Sequence, residues 1–91
     1  SIEQREMIDV DYAKTLGERF VTKNSGFDPV VTGIAVDTKS IELNINREFY
    51  HAIVDESATL RTGSTTIRHQ LQIDAFNARV KRRSPYKVIR G

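Results

Sequence analysis

Apolar side chains recur at Tyr12, Leu16 and Phe20, an i, i+4, i+8 stripe with Ala13 beside it. The segment that begins at Asp9 or Asp11 therefore has the period of an amphipathic helix. An aspartate at its start suits an N-cap, and Asn24-Ser25-Gly26 supplies a stop. Gly17 falls inside the segment and costs up to about 1 kcal/mol against alanine. The period then changes. Residues 29–36 are rich in β-branched side chains, and Ile41, Leu43 and Ile45 alternate strictly with Glu42, Asn44 and Asn46. Two such runs separated by Asp37-Thr38-Lys39-Ser40 predict a β-hairpin.

Beyond the hairpin, Asn46 is placed to cap a helix over 47–56 with Phe49, Ala52 and Ile53 on its inner side. Residues 57–64 read as a loop ending in Gly63. Residues 65–83 fit two periods. Ile67, His69, Leu71 and Ile73 alternate as in a strand, whereas Ile67, Leu71, Ala75 and Ala78 make a helical face that Ser64 or Thr65 could cap and Pro85 could end. The segment is long for a strand and ordinary for a helix, which selects the helix. The expected fold class is α+β: a β-hairpin packed against two or three helices, in the order α-β-β-α-α. It forms a single small domain over 1–83, followed by a basic C-terminal tail over 84–91.

Composition narrows the class without naming an activity. A chain of 91 residues supports one core and not two. With 38% hydrophobic and 29% charged residues it has ordinary globular usage and is too apolar for a disordered chain. It contains no cysteine, which excludes disulfides and thiolate metal sites. No apolar run approaches the ~20 residues of a membrane helix, so no membrane partner is expected. The expected compartment is the cytoplasm, or the nucleus in a eukaryote.

The net charge of +2 conceals a division along the chain. Residues 1–56 carry six bases against eleven acids, a net of −5, while residues 57–91 carry eight bases and the single acid Asp74, a net of +7. Such asymmetry suits contact with a polyanion or charge-guided assembly. Phosphate backbones reward dense cations because each neutralised phosphate releases condensed counterions. The candidate nucleic-acid-binding residues are therefore Arg68, Arg79, Lys81, Arg82, Arg83, Lys87 and Arg90, with Tyr86 available to stack on an exposed base. The partner is expected to be DNA or RNA, held through phosphates without sequence readout. The competing expectation is a structural subunit that associates head to tail, acidic half against basic half, as a homo-oligomer or with a protein partner.

Catalytic patterns are missing. The two histidines, His51 and His69, have no neighbours at metal-ligand spacing; His51 and Asp55 would pair at i, i+4 on the second helix but lack a third ligand. No nucleophile elbow, P-loop or dinucleotide fingerprint occurs. The sequence thus predicts a non-enzymatic binding module with no cofactor and no metal.

Overall fold

The computed structural model describes residues 6–31 and 36–91. One helix, α1 (Val10–Lys23), precedes four strands: β1 (Val36–Asn46), β2 (Phe49–Leu60), β3 (Gly63–Asp74) and β4 (Val80–Arg90). The strands form one antiparallel sheet in the order β1-β2-β3-β4, each hydrogen-bonded to its sequence neighbour. The architecture is mostly β, a four-stranded meander with α1 against one face. It is not a hairpin packed on two or three helices.

The expected first helix is present. Asp9 caps it, its carboxylate accepting from Tyr12 N at 2.7 Å, and the Asn24 N–H closes the other end on Phe20 O and Val21 O. Its buried face, however, is Ala13, Gly17 and Val21. The stripe read from the sequence borders that face, with Leu16 and Phe20 half-buried and Tyr12 exposed. Close approach explains the rotation. A Cβ on Gly17 would lie 3.4 Å from Val54 Cγ2 and 3.7 Å from Ile73 Cδ1 and Leu71 Cδ1. The glycine that weakens the helix in isolation brings it down onto the sheet.

The expected hairpin is displaced. Residues 29–31 form one helical turn, residues 32–35 lie outside the described residues, and the anticipated turn at 37–40 belongs to the continuous strand β1. The chain reverses at Arg47-Glu48, where Arg47 takes φ 61°. Residues 47–56, expected as a helix, instead begin β2. There Tyr50, Ala52, Val54, Glu56 and Ala58 turn towards α1, and Phe49, His51, Ile53, Asp55 and Ser57 turn away. Apolar Phe49 and Ile53 lie on the face away from α1 and buried Glu56 on the face towards it, so the apolar residues of this strand do not alternate cleanly.

The third expected helix is two strands and a turn. Asp74 accepts from Phe76 N (2.8 Å) and Asn77 N (2.9 Å), and Asn77 Oδ1 accepts from Arg79 N (2.9 Å). These side chains mimic backbone turns, and Ala78 completes the reversal at φ 65°. Residues 84–90, read from the sequence as a tail, continue β4 along β3.

The core is one layer between α1 and the sheet, built from Ala13, Val21, Tyr50, Ala52, Val54, Leu71, Ile73 and Ala75. Strands of 11–12 residues extend roughly 36–40 Å, whereas 14 helical residues cover about 21 Å. The helix therefore spans about half the inner face. The loop after α1 covers part of the remainder, with Gly26 set against Ile67 and Tyr86 so closely that a Cβ there would meet both at 3.0 Å.

Candidate polyanion-binding face

Alternation along the strands gives the sheet two chemically distinct sides. On the inner side, beneath the C-terminal end of α1, two fully buried ionisable residues face each other: Glu56 and His69. Glu56 accepts from the Ser25 hydroxyl, from Gly26 N at 2.9 Å and from His69 Nε2 at 2.9 Å. Arg82 Nη1 donates to His69 Nδ1 at 2.9 Å, and its Nη2 donates to the Asn24 carbonyl at 2.9 Å. Arginine has no acceptor, so His69 Nδ1 must offer a lone pair and Nε2 must carry the proton. One neutral tautomer thus joins a buried carboxylate to a guanidinium. Burial lowers the His69 pKa and Arg82 adds to that, against the opposing pull of Glu56.

Arg82 is further held by two rings. Its guanidinium carbon lies 5.4 Å from the Phe20 centroid and 5.2 Å from that of Tyr86, and the Tyr86 ring stands 5.3 Å from His69. Two of the eight expected binding residues, Arg82 and Tyr86, are therefore committed to the inner network.

The outer side carries no helix among the described residues. Cross-strand partners share a face, so the register sets out this surface in rows. Asn44, His51, Gln72 and Lys81 make one row, and Glu42, Ile53, Gln70 and Ser84 another; Lys39, Asp55, Arg68 and Lys87 follow, and then Asp37, Ser57, Thr66 and Arg90. Arg68 is spoken for: Nε donates to Asp55 Oδ1 at 2.8 Å and Nη2 to Oδ2 at 2.9 Å. That bidentate bond raises its pKa. Lys81, Arg83, Lys87 and Arg90 are exposed along β4, and Arg79 is exposed on the turn before it. Arg83 lies close enough to His51 for its charge to add to the burial that lowers the His51 pKa.

Of the eight residues named from sequence, the structure gathers Lys81, Arg83, Lys87 and Arg90 on one edge of the outer face. It places Arg79 at the end of that edge, sets Arg68 behind it in an ion pair, and turns Arg82 and Tyr86 inward. The pleat makes this division, since successive strand residues face opposite sides, and the pairing of Arg82 with inner-face Leu71 sets which of the two arginines turns inward.

The sequence reading missed the other members of this face. Phe49, His51 and Ile53 are half-buried on central strand β2, with Gln70 and Gln72 beside them on β3. The i, i+2, i+4 spacing of 49, 51 and 53 was the available signal, hidden by reading that segment as a helix. As strand residues, His51 and Asp55 stand roughly 13 Å apart along the chain and form no acid–base pair. No group of three potential metal ligands occurs among the described residues, and no described helix is long and apolar enough to cross a membrane. Comparison of the chain with protein-family models, with curated proteins and with solved structures gives no match.

Proposed function

We propose that the chain is a non-enzymatic binding module that holds a nucleic acid, DNA or RNA, through its phosphates along the outer face of β4. The observation that carries this reading is the row of four exposed cations, Lys81, Arg83, Lys87 and Arg90, on one side of one strand. Of the acids on the outer face, Asp55 is occupied by Arg68 and Asp74 by its turn, while Asp37 and Glu42 stand on β1, at the opposite edge of the sheet from β4. The Ser25, Glu56 and His69 cluster is engaged in support of the fold. Ser25 donates to Glu56, Glu56 also accepts from Gly26 N and His69 Nε2, and Arg82 donates to His69 Nδ1, so neither nitrogen of His69 faces the hydroxyl.

Strand addition at β4 is disfavoured by its own chemistry. Pro85 lacks an N–H, the register shifts bend the strand, and its cations repel a second copy. This weakens the assembly reading at that edge. The test is a titration with a labelled oligonucleotide at two salt concentrations. Five phosphate contacts, counting Arg79, give a log–log salt slope of about −3.5 on single strands and about −4.5 on duplex. Replacing Lys81, Arg83, Lys87 and Arg90 together by glutamine should abolish most of the affinity and flatten the slope. Unchanged affinity in that variant rules the reading out, and salt-sensitive self-association without nucleic acid favours assembly in its place.

A further inference from the structure

Resting on that reading, we infer that the partner is single-stranded, with its phosphates along β4 and two successive bases stacked on Phe49 and His51 of β2. Three features of the outer face carry this. First, Phe49 and His51 are i, i+2 neighbours on the same side of the strand, roughly 7 Å apart, and both are half-buried, presenting ring surface without being sealed in the core. Burial and the nearby Arg83 lower the His51 pKa and so favour its neutral ring.

Second, the distances suit one nucleotide lying across the sheet. β2 and β4 are separated by β3 alone, two strand spacings or roughly 10 Å. A backbone following Arg79 and Lys81 would thus point its bases past Asp74 and Gln72 towards Phe49 and His51. Gln72 supplies a donor and an acceptor to base edges on the way. Phe49, Gln72, Asp74, Arg79 and Lys81 also line a single shallow depression at this end of the face, which joins the ring platform to the cations.

Third, this face offers a duplex only phosphate contacts. Direct readout of B-form DNA uses a helix or a β-ribbon in the major groove, and α1 packs on the opposite side of the sheet. A duplex keeps its bases stacked internally, so Phe49 and His51 would contribute nothing to it. Single strands, in contrast, are held by a cationic track beside aromatic platforms.

The chain has no tryptophan, so Phe49→Trp installs a single reporter at the platform. Its fluorescence should be quenched by a short oligothymidylate and left unchanged by an abasic oligomer of equal length. Anisotropy titrations of the unmodified chain should show tighter binding to the single strand than to the duplex or the abasic strand. Phe49→Leu, which keeps the apolar bulk and removes the ring, should weaken single-strand binding about 5- to 150-fold and leave duplex binding unchanged. Equal affinity for all three probes, lost only in the four-glutamine variant, overturns the stacking inference and leaves phosphate binding standing. Absence of binding to every probe at low salt overturns both.

Discussion

Arg82 and Arg83 are adjacent in sequence and face opposite sides of the sheet, and exchanging each for alanine should separate fold from the proposed binding. Removing Arg82 leaves the buried His69 Nδ1 without its donor, at about 1–3 kcal/mol. Loss of its guanidinium from between Phe20 and Tyr86 adds about 0.5–1 kcal/mol per ring. The Asn24 carbonyl lies where water can replace the lost bond, so it adds little. The expected destabilisation is about 2–5 kcal/mol, a large share of the roughly 5–14 kcal/mol available to a domain of this length. Urea unfolding followed by far-ultraviolet circular dichroism reads it directly. With a slope of about 1.5 kcal/mol per molar, the midpoint should fall by roughly 1–3 M. Arg83→Ala should stay within about 0.5 kcal/mol of the parent while losing affinity for oligonucleotides. Equal midpoints for the two variants, or a larger fall for Arg83→Ala, would falsify the assignment of one arginine to each face.

Three further outcomes follow from the inner layer and the turn. Gly17→Ala should be neutral or stabilising by up to about 1 kcal/mol, because helix propensity improves and the new Cβ meets Val54 at 3.4 Å; Gly17→Val should cost about 1–3 kcal/mol by overpacking, and thermal melts distinguish the two. Stability should fall with acid in the histidine range: the folded pKa of His69 is lowered, so the unfolded chain takes up the proton first, and the loss begins near pH 6.5 and continues down to the folded pKa. Its slope is at most about 1.4 kcal/mol per pH unit for this group. His69→Gln, whose amide can donate to Glu56 and accept from Arg82, should flatten that part of the profile between pH 7.5 and 5.5, and an unchanged profile would refute the neutral tautomer. Asp74→Ala should cost about 0.5–1.5 kcal/mol in chemical unfolding by removing its bonds to Phe76 N and Asn77 N, the second of which water can replace, and an unchanged midpoint would mean that the turn does not depend on it.

Local signals in the sequence were sound where one residue fixes one backbone bond. Asp9 caps α1, Asn24 ends it, and the Ile41–Asn46 alternation marks half of β1. Length and period misled where two elements abut. Residues 65–83 suited a helix by length because two strands and an Asx-supported turn were counted as one element, although the alternation of Ile67, His69, Leu71 and Ile73 was present throughout. On β2 the buried carboxylate of Glu56 occupies an inner position that a hydrophobic pattern reserves for an apolar residue. Its partners Ser25, Gly26 and His69 come from distant parts of the chain, and no local window contains them. The proposed binding face was legible as a concentration of charge but not as a surface, because strand register decided that Arg83 faces out and Arg82 faces in.

The most direct test of the outer-face account is an amide chemical-shift map of the 15N-labelled chain titrated with a short single-stranded oligonucleotide at low salt. Changes should concentrate at Lys81, Arg83, Lys87 and Arg90 and spread across β3 to Phe49 and His51, leaving Ala13, Gly17 and Val21 of α1 unmoved. Changes centred on α1 or on the exposed acids of β1, or a spectrum that does not respond, would contradict it.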